Sequence, residues 1–246
     1  MPSTVERLSE QQWVPPWIRH QHLTRYQWAC EFTLNRSVID AACGTGYGAA
    51  ILVERGGARE VLGFDCSAEA IAEAKHVCRL DAVKFEVADV LRLPVADQAC
   101  DVYASFETIE HIENDRAYVQ EVVRVLKPGG RFLCSTPNRL LTNPGITLDG
   151  KPFNRFHVRE YTAAELKTFL APYFSTIDLF GQSPYRKRYA GLLNRVGKRL
   201  PMLAVRLHQL RKLLGMPLER ASWHYPFPLP AAREPEVLIA VCTAPE

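Results

Sequence analysis

The chain has 246 residues and a formal net charge of +3 at pH 7, too small to indicate a polyanion partner by itself. Apolar residues make up 47% and charged residues 23% of the sequence, which excludes a disordered chain and is typical of a globular protein with a full core. The length predicts one large domain, or one domain with an insertion.

The seven cysteines are scattered, odd in number and contain no CxxC pair. This pattern argues against a disulfide framework or a zinc site built from thiolates, and it indicates a reducing compartment. The first residues lack the basic and apolar regions of a signal peptide, and no run of about 18 apolar residues occurs. We therefore expect a cytoplasmic protein.

Short apolar runs alternate with helical patterns from residue 38 onward. The seven predicted strands are 38–42, 61–65, 83–88, 102–106, 131–135, 175–181 and 236–244. Strands that alternate with helices predict βαβ units, and therefore an α/β fold with a mostly parallel sheet covered on both faces.

Two helices have clear sequence signals. One precedes the KPGG turn, and its residues Tyr118, Val122, Val123 and Leu126 are predicted to share one face. The other begins after a loop predicted at 137–156, where Thr162 and a glutamate three residues later form the pattern of a capping box.

A glycine-containing turn follows the first strand in VIDAACGTGYGAA, where the strand ends at Asp40 and Gly44 and Gly46 follow. Glycines let the backbone approach a ligand, and the next helix offers free N–H groups at its start. Asp65 ends the second strand, where a carboxylate can bind both hydroxyls of a ribose. Asp89 follows the third strand and is placed to bind an adenine amino group. The D-x-x-C-G-x-G spacing of this turn does not match the fingerprint of a dinucleotide-binding turn, so a pyrophosphate is not an expected ligand.

Four segments in this order, VIDAACGTGYG, GFDCS, VADVLRLP and LKPGGRFLCSTPN, resemble the class I S-adenosylmethionine-dependent methyltransferases. The resemblance covers roughly residues 20–182 and the last strand. It implies a Rossmann-like sheet of seven strands whose last strand is antiparallel. We predict a methyltransferase domain at 1–182 and 233–246, with a basic helical insertion at 183–232. Ala42 stands where the family usually has glycine, and its methyl group should be tolerated.

The resemblance also implies a cofactor site for S-adenosylmethionine. The glycine turn would pack against the methionine moiety, Asp65 would hold the ribose, and Asp89 with Val90 would frame the adenine. The segment HLTRYQWA resembles the helix that covers the cofactor, and from it Arg25 would bind the methionine carboxylate, unless it is an exposed helix arginine. The predicted cofactor-binding residues are Arg25, Asp40, Gly44, Thr45, Gly46, Asp65, Cys66, Asp89, Val90 and Phe106.

The segment SFETIEHI follows the fourth strand, at the edge where ligands bind in open α/β sheets. A hydroxyl acceptor must lose its proton as it attacks a methyl group, and a histidine can take that proton. We predict His111 and Glu107 as catalytic residues, one turn apart if the segment is helical. Alternatively, Glu107 only caps the strand, and Glu110 and His111 open a solvated helix.

A second histidine, His157, lies in FHVREYTAAEL and is predicted to face the same opening. Two glutamates, a histidine and this distant histidine resemble the pattern of metal-dependent small-RNA 2′-O-methyltransferases. The E-x-x-E-H part also resembles ubiquinone-biosynthesis O-methyltransferases. The resemblance implies a site for Mg²⁺, Mn²⁺ or Zn²⁺. Its predicted ligands are Glu107, Glu110, His111 and His157. Alternatively, His157 only forms a hydrogen bond within a loop.

The insertion is strongly basic. Between Gln182 and Arg220 it has ten basic residues and one acid, Glu219, so this segment carries +9 and the rest of the chain −6. Apolar residues recur at helical spacing within it: Leu192, Val196, Leu200, Leu203, Leu207, Leu210 and Leu214. Two amphipathic helices with basic faces fit a membrane surface or a polyanion.

We expect peripheral membrane contact through 186–214, at the inner face of the membrane. The alternative is a lid whose apolar stripe packs on the sheet. Aromatic residues do not alternate with the basic ones but cluster at 222–228, so nucleic acid is not an expected partner. Trp223, His224 and Tyr225 line the acceptor pocket or anchor the insertion.

The whole pattern is similar to bacterial methyltransferases associated with surface-glycan and glycolipid assembly. It implies methyl transfer from S-adenosylmethionine to a hydroxyl of a small-molecule, sugar or lipid-linked acceptor. Three alternatives stay open: a metal-dependent RNA 2′-O-methyltransferase, a methyltransferase for a quinone or other metabolite, and a non-catalytic module that binds S-adenosylmethionine.

Overall fold

The structure is a computed structural model that describes residues 16–213, 225–229 and 233–246. These residues form eight α-helices and eight strands. The helices are α1 (Pro16–Ala29), α2 (Tyr47–Glu54), α3 (Ala68–Val77), α4 (Asp115–Val125), α5 (Arg139–Thr142), α6 (Ala163–Leu170), α7 (Lys187–Gly197) and α8 (Pro201–Leu213). The strands are β1 (Ser37–Ala41), β2 (Glu60–Asp65), β3 (Val83–Val87), β4 (Cys100–Phe106), β5 (Leu126–Pro137), β6 (Thr176–Arg186), β7 (Phe227–Pro228) and β8 (Arg233–Thr243). Two 3₁₀ turns lie at Cys30–Phe32 and Ile109–His111.

The strands form one sheet in the order β3-β2-β1-β4-β5-β8-β6-β7. Strands β1 to β5 are parallel, and β8 lies antiparallel between β5 and β6. The predicted Rossmann-like α/β sheet with an antiparallel last strand is confirmed, with an eighth strand that the sequence did not predict. This strand, β7, is two residues long and includes a proline, so it has no alternating pattern to detect.

Helices cover both faces of the sheet, as predicted. Every residue of β1 is buried, which is typical of a parallel strand between two helical layers. Successive side chains of a strand point to opposite faces. Accordingly, Val38 packs in a core with residues of α1, α2 and α3, and Ile39 packs in a second core with residues of α4 and α6.

Several local predictions need correction. In α4, Val119 and Val125 complete the buried face, while Val123 is only half buried and Leu126 begins the next strand. The KPGG turn lies inside β5, where the pairing with β4 shifts, because Gly129 adopts a φ of +70°. The predicted loop 137–156 contains α5, while the capping box at the start of α6 is confirmed.

The basic segment after β6 forms helices α7 and α8, but they pack differently from the prediction. Their buried side chains are Ala190, Leu193, Ala204, Val205 and His208. The predicted apolar stripe is largely exposed, so the alternative in which it packs on the sheet is wrong. The exposed members are Leu192, Leu200, Leu203, Leu207 and Leu210.

The predicted domain division stays a prediction, although β6 extends to Arg186, past the expected boundary at residue 182. Leu214, Glu219, Arg220, Trp223 and His224 lie outside the described residues. Among the described helices, none is both long and apolar enough to cross a bilayer.

Contact between α1 and α2 depends on Gly48. A Cβ atom at this position would overlap the ring of Tyr26, which projects from α1. Gly48 therefore lets the two helices approach, and Tyr26 reaches the end of the sheet through this gap.

We expect Gly48→Ala to lower the free energy of unfolding by about 1–3 kcal/mol, because the added methyl group must displace a buried ring. Urea unfolding would measure this change. The matched control is Gly191→Ala in α7, where a Cβ meets no atom within 4 Å. The control should be neutral or stabilise by up to about 1 kcal/mol. Equal effects of the two substitutions would contradict the packing argument.

Candidate functional site

The predicted site residues gather at the carboxyl ends of β1, β2 and β4. The chain order of the strands reverses between β1 and β4, since β2 and β3 lie on one side and β5 on the other. In open α/β sheets, ligands bind in the crevice at such a switch point. The glycine turn follows β1 and the segment 107–111 follows β4, so both border this crevice.

The glycine turn contains three residues in the left-handed conformation: Ala42 (φ 57°), Gly44 (φ 56°) and Gly46 (φ 79°). A Cβ on Gly46 would overlap Phe85, so this glycine is needed for packing. A Cβ on Gly44 would meet no atom within 4 Å, which leaves room for a ligand. Ala42 adopts a conformation that costs an L-residue about 1–2 kcal/mol, so its methyl group is tolerated under strain.

Asp65 connects the turn after β1 with the turn after β2. Its Oδ2 accepts a hydrogen bond from the backbone N–H of Gly44 at 3.0 Å, and its Oδ1 accepts one from the N–H of Ser67 at 2.9 Å. The carboxylate is thus held at the edge of the crevice, as a group that binds a ribose must be.

Three further predicted residues lie on these turns. Thr45 is buried within the glycine turn, and Cys66 is exposed beside Asp65. Asp89 is exposed and accepts a hydrogen bond from the N–H of Leu91 at 2.9 Å, while the neighbouring Val90 is buried.

Asp40, at the end of β1, is completely buried. Its Oδ1 accepts a hydrogen bond from the Tyr26 hydroxyl at 2.8 Å, and its Oδ2 has no hydrogen-bond partner among the described residues. Burial raises the pKa of Asp40 to about 7, although the Tyr26 hydroxyl lowers it. The Tyr26 ring also meets Phe106 edge to face, with centroids 5.0 Å apart. The role of Tyr26 was not predicted, although it follows Arg25 directly.

Arg25 is buried, so the alternative of an exposed helix arginine is wrong. Its guanidinium donates to Glu107 at 3.0 Å, to the Ser135 hydroxyl at 2.8 Å and to the Gln182 side-chain carbonyl at 3.0 Å. It also lies over the Phe106 ring, 5.7 Å from the centroid. Binding of a cofactor carboxylate by this guanidinium stays a prediction.

Glu107 contacts Arg25 and precedes the 3₁₀ turn that carries Glu110 and His111. Its φ of 54° places it in the left-handed region, and the residues after it form a 3₁₀ turn rather than an α-helix. The predicted one-turn spacing of Glu107 and His111 is therefore wrong. The Glu107 carboxylate binds Arg25 and the Ser135 hydroxyl instead, so it lies outside the group that the other three predicted metal ligands form.

Glu110, His111 and His157 do come together, with one potential ligand atom from each within 4.8 Å of the others. The two imidazole rings meet edge to face, with centroids 4.8 Å apart. Glu110 is completely buried, and neither of its carboxylate oxygens has a hydrogen-bond partner among the described residues. Burial raises the pKa of Glu110 well above its usual range, the charge of Glu107 raises it further, and His157 lowers it.

The loop that carries His157 is attached to the 3₁₀ turn through its backbone. The carbonyl of Glu110 accepts a hydrogen bond from the N–H of Val158 at 2.7 Å. The Nδ1 of His111 lies 3.0 Å from the carbonyl oxygen of Phe156. A carbonyl can only accept, so Nδ1 of His111 carries the proton and Nε2 carries the lone pair of the neutral ring.

Glu160 positions the second imidazole. Its Oε1 lies 2.6 Å from Nδ1 of His157, so the carboxylate accepts that N–H. Glu160 was not among the predicted site residues, although its i, i+3 spacing from His157 was a usable signal. The Nε2 of His157 lies 2.9 Å from the side-chain nitrogen of Asn154. A cation bound at Nε2 would therefore replace this contact.

The donor set fits a divalent cation. Two imidazoles and a carboxylate suit Zn²⁺ or Mn²⁺ better than Mg²⁺, which prefers oxygen ligands. Both oxygens of Glu110 lack a partner among the described residues, and a cation would supply one. The carboxylate of Glu160 behind His157 is the kind of outer contact that orients a metal-binding histidine.

The sequence is similar to a known domain family and to curated proteins. The family model described as a methyltransferase domain matches residues 39–134. A probable S-adenosylmethionine-dependent methyltransferase of Mycolicibacterium smegmatis is 37% identical over 167 residues, which are 68% of this chain and 61% of that relative. The ubiquinone/menaquinone biosynthesis C-methyltransferase UbiE of Desulfotalea psychrophila is 32% identical over 122 residues, or 50% of this chain and 48% of that relative.

The fold is similar to that of solved methyltransferase structures. The crystal structure of an S-adenosylmethionine-dependent methyltransferase from Mesorhizobium loti aligns with a TM-score of 0.56 at 18% identity, over 89% of this chain and 97% of that one. The chain spans about half to three fifths of the length of the two curated relatives. The solved structure supports the fold alone, while the family model and the first curated relative support S-adenosylmethionine as the cofactor. They do not bear out the predicted resemblance to O-methyltransferases of glycan and glycolipid assembly.

We expect Asp40→Asn to change how stability depends on pH. Asp40 has a pKa of about 7 in the folded protein against an ordinary value of 3.8, so the folded state keeps a proton that the unfolded chain releases. The wild type should therefore lose about 1.4 kcal/mol of stability per pH unit relative to the variant as pH rises from about 4 to 7, and no more above pH 7. Urea unfolding at pH 5, 6, 7 and 8 measures this difference, and a constant difference from pH 5 to 7 would contradict it.

Proposed function

We propose that this protein transfers a methyl group from S-adenosylmethionine to a hydroxyl of a small-molecule, sugar or lipid-linked acceptor, because a family model described as a methyltransferase domain matches residues 39–134. One observation carries the proposal: Glu110, His111 and His157 form a group able to take a proton or hold a cation at the same edge of the sheet as the glycine turn. A hydroxyl acceptor needs such a group, because its proton must leave as it attacks the methyl carbon.

The residues of the crevice fit the cofactor. Gly44 leaves open space over the turn, Asp65 is held at the end of β2 for the ribose, and Asp89 is exposed at the end of β3 for the adenine. When bound, S-adenosylmethionine supplies an electrophilic methyl group on its sulfonium. Strand β4 is the neighbour of β1, so the segment 107–111 follows β4 at the same edge of the sheet as the glycine turn.

His111 is the group best placed to receive the acceptor proton. Its Nδ1–H is held by the carbonyl of Phe156, which fixes the tautomer and leaves Nε2 as the acceptor atom. Glu107 has a different role in this proposal. Its contacts with Arg25 and Ser135 make it a positioning residue for the edge of the crevice.

We further propose that Glu110, His111 and His157 hold a divalent cation. Such a cation would act as a Lewis acid on the acceptor oxygen. Protein groups prepare the site: Phe156 orients His111, and Glu160 orients His157. The lone pair on Nε2 of His111 cannot bind the cation and take the acceptor proton at once. His111 would therefore be a ligand when a cation is bound, and a base when it is not.

The other classes of acceptor make different predictions. The relative from Desulfotalea psychrophila is named a C-methyltransferase, so carbon is the nearest alternative acceptor atom. An RNA acceptor would give binding that weakens steeply with salt. A non-catalytic module would bind S-adenosylmethionine without turnover.

The deciding experiment follows labelled methyl from S-adenosylmethionine into a bacterial extract that is separated into lipid, glycan, RNA and small-molecule fractions. The label in the product is then tested for an ether oxygen against an ester oxygen or a carbon–carbon bond. Label on an ether oxygen in the lipid, glycan or small-molecule fraction is expected, because methylation of a hydroxyl gives an ether. Label on an ester oxygen, on carbon or in RNA would overturn the proposed acceptor. Cofactor binding without transfer to any fraction would favour the non-catalytic module.

We expect His111→Ala to reduce turnover by about 10²–10⁴-fold, the usual contribution of a general base, with little change in affinity for S-adenosylmethionine. Initial rates and calorimetric titration with the cofactor measure the two effects. The control is His76→Ala, which removes an exposed imidazole from α3. A large loss of cofactor affinity in the His111 variant would contradict its catalytic role and indicate a structural one.

We expect Mn²⁺ or Zn²⁺ to raise the melting temperature of the chelator-treated protein, because a cation that binds only the folded state stabilises it, by about 2.7 kcal/mol at 100 times the Kd. Glu110→Gln and His157→Asn should each abolish the rise, whereas His76→Asn should not. This measurement needs neither an acceptor nor turnover. A rise of equal size in the Glu110 variant would place the cation elsewhere.

A further inference from the structure

Exposed apolar side chains are concentrated on α7, α8 and the turn between them. Of the eleven large apolar residues that are exposed in the described chain, six lie between residues 192 and 210, each 45–57% exposed. They are Leu192, Leu200, Met202, Leu203, Leu207 and Leu210. Single exposed leucines are ordinary, but a cluster of this size indicates a contact surface.

Helix α8 is apolar on two opposite faces. Ala204, Val205 and His208 are buried, and Ala204 packs in a cluster with residues of α5 and α7. On the other face, Leu203, Leu207 and Leu210 follow the i, i+4, i+7 spacing of a single ridge and are exposed. Packing within the described chain thus accounts for only one of the two apolar faces.

Helix α7 has a basic exposed face. Arg188, Leu192, Arg195 and Arg199 follow one another at spacings of four, three and four residues, so they lie along one side of the helix and its end, and all four are exposed. The sequence has no acidic residue between Asp178 and Glu219. Positive charge on this side of the protein is therefore not neutralised by acids of the same segment.

We propose that the insertion surface, defined as the leucine ridge of α8 with the turn 198–200 and the basic face of α7, binds the anionic surface of a lipid bilayer. Leucines of an interfacial helix enter the boundary between head groups and acyl chains, and lysines and arginines beside them attract anionic head groups. The turn combines both kinds of residue, since Lys198 and Arg199 directly precede Leu200 and all three are exposed.

Charge and composition argue against the other occupants of this surface. A second copy in a twofold contact would bring two copies of the same basic surface together, with no acidic residue of the segment 179–218 to neutralise them. A nucleic acid would need aromatic rings on which bases stack, and between residues 187 and 213 the only aromatic residue is Tyr189, which is half buried and stacked on Tyr185. An anionic bilayer offers acyl chains to the leucines and anionic head groups to the basic residues.

This binding does not depend on methyl transfer, so the test uses the full chain without S-adenosylmethionine. Flotation with vesicles of phosphatidylcholine alone is compared with vesicles that also contain about one third phosphatidylglycerol, at low and high salt. We expect binding to the anionic vesicles only, weakened by salt. Leu203→Ser, Leu207→Ser and Leu210→Ser combined should reduce the bound fraction about tenfold or more, and so should Arg188→Glu, Arg195→Glu and Arg199→Glu combined.

Matched controls change the same kinds of residue elsewhere. Leu34→Ser, Val77→Ser and Val87→Ser replace exposed apolar residues, and Lys75→Glu, Lys84→Glu and Arg116→Glu reverse exposed charges. Both control sets should bind vesicles like the wild type, and circular dichroism should show that all variants are folded. The proposal is overturned if the wild type does not float with anionic vesicles or if the controls lose binding equally. It is also overturned if the leucine variant instead converts a dimer to a monomer, or if RNA competes fully with the vesicles.

Discussion

The buried guanidinium of Arg25 is the interaction on which the functional edge of the sheet depends. A charge removed from water must find its partners inside the protein, and losing one partner of a buried pair typically costs about 3–5 kcal/mol. The partners of Arg25 are Glu107 after β4, Ser135 on β5 and Gln182 on β6, so α1 can dock in this position only when these strands have assembled into the sheet. The helix that borders the crevice and the crevice itself therefore form together.

Much of the fold followed from local sequence patterns. The parallel strands were predictable because burial on both faces makes them continuous apolar runs, and α6 because its capping box is a local pattern. The contact between Asp65 and Gly44 was predictable because the carboxyl ends of neighbouring parallel strands lie at one edge, while their binding of a cofactor stays a prediction. Each of these features depends on residues close in sequence or on a rule of sheet topology.

The features that the sequence could not predict depend on long-range packing. A left-handed φ at Glu107 is unusual for a non-glycine residue, and it removes the helical spacing on which the four-residue ligand set relied. The partners of Arg25 come from 82 to 157 residues away. In α8 the apolar period was found, but periodicity alone does not tell which of two apolar faces is buried, and Ala204 and His208 pack where the leucines were expected.

The position of β8 has a consequence for synthesis of the protein. Strand β8 lies between β5 and β6, so until Arg233–Thr243 leave the ribosome β5 and β6 each have a strand edge whose partner has not been made. Unpaired strand edges are where partly made sheets aggregate. Helices α7 and α8 are synthesised in this interval, before β8 arrives, and their emergence lengthens the time during which these edges stay unpaired. The sheet, with the site at its edge, closes only once β8 has emerged.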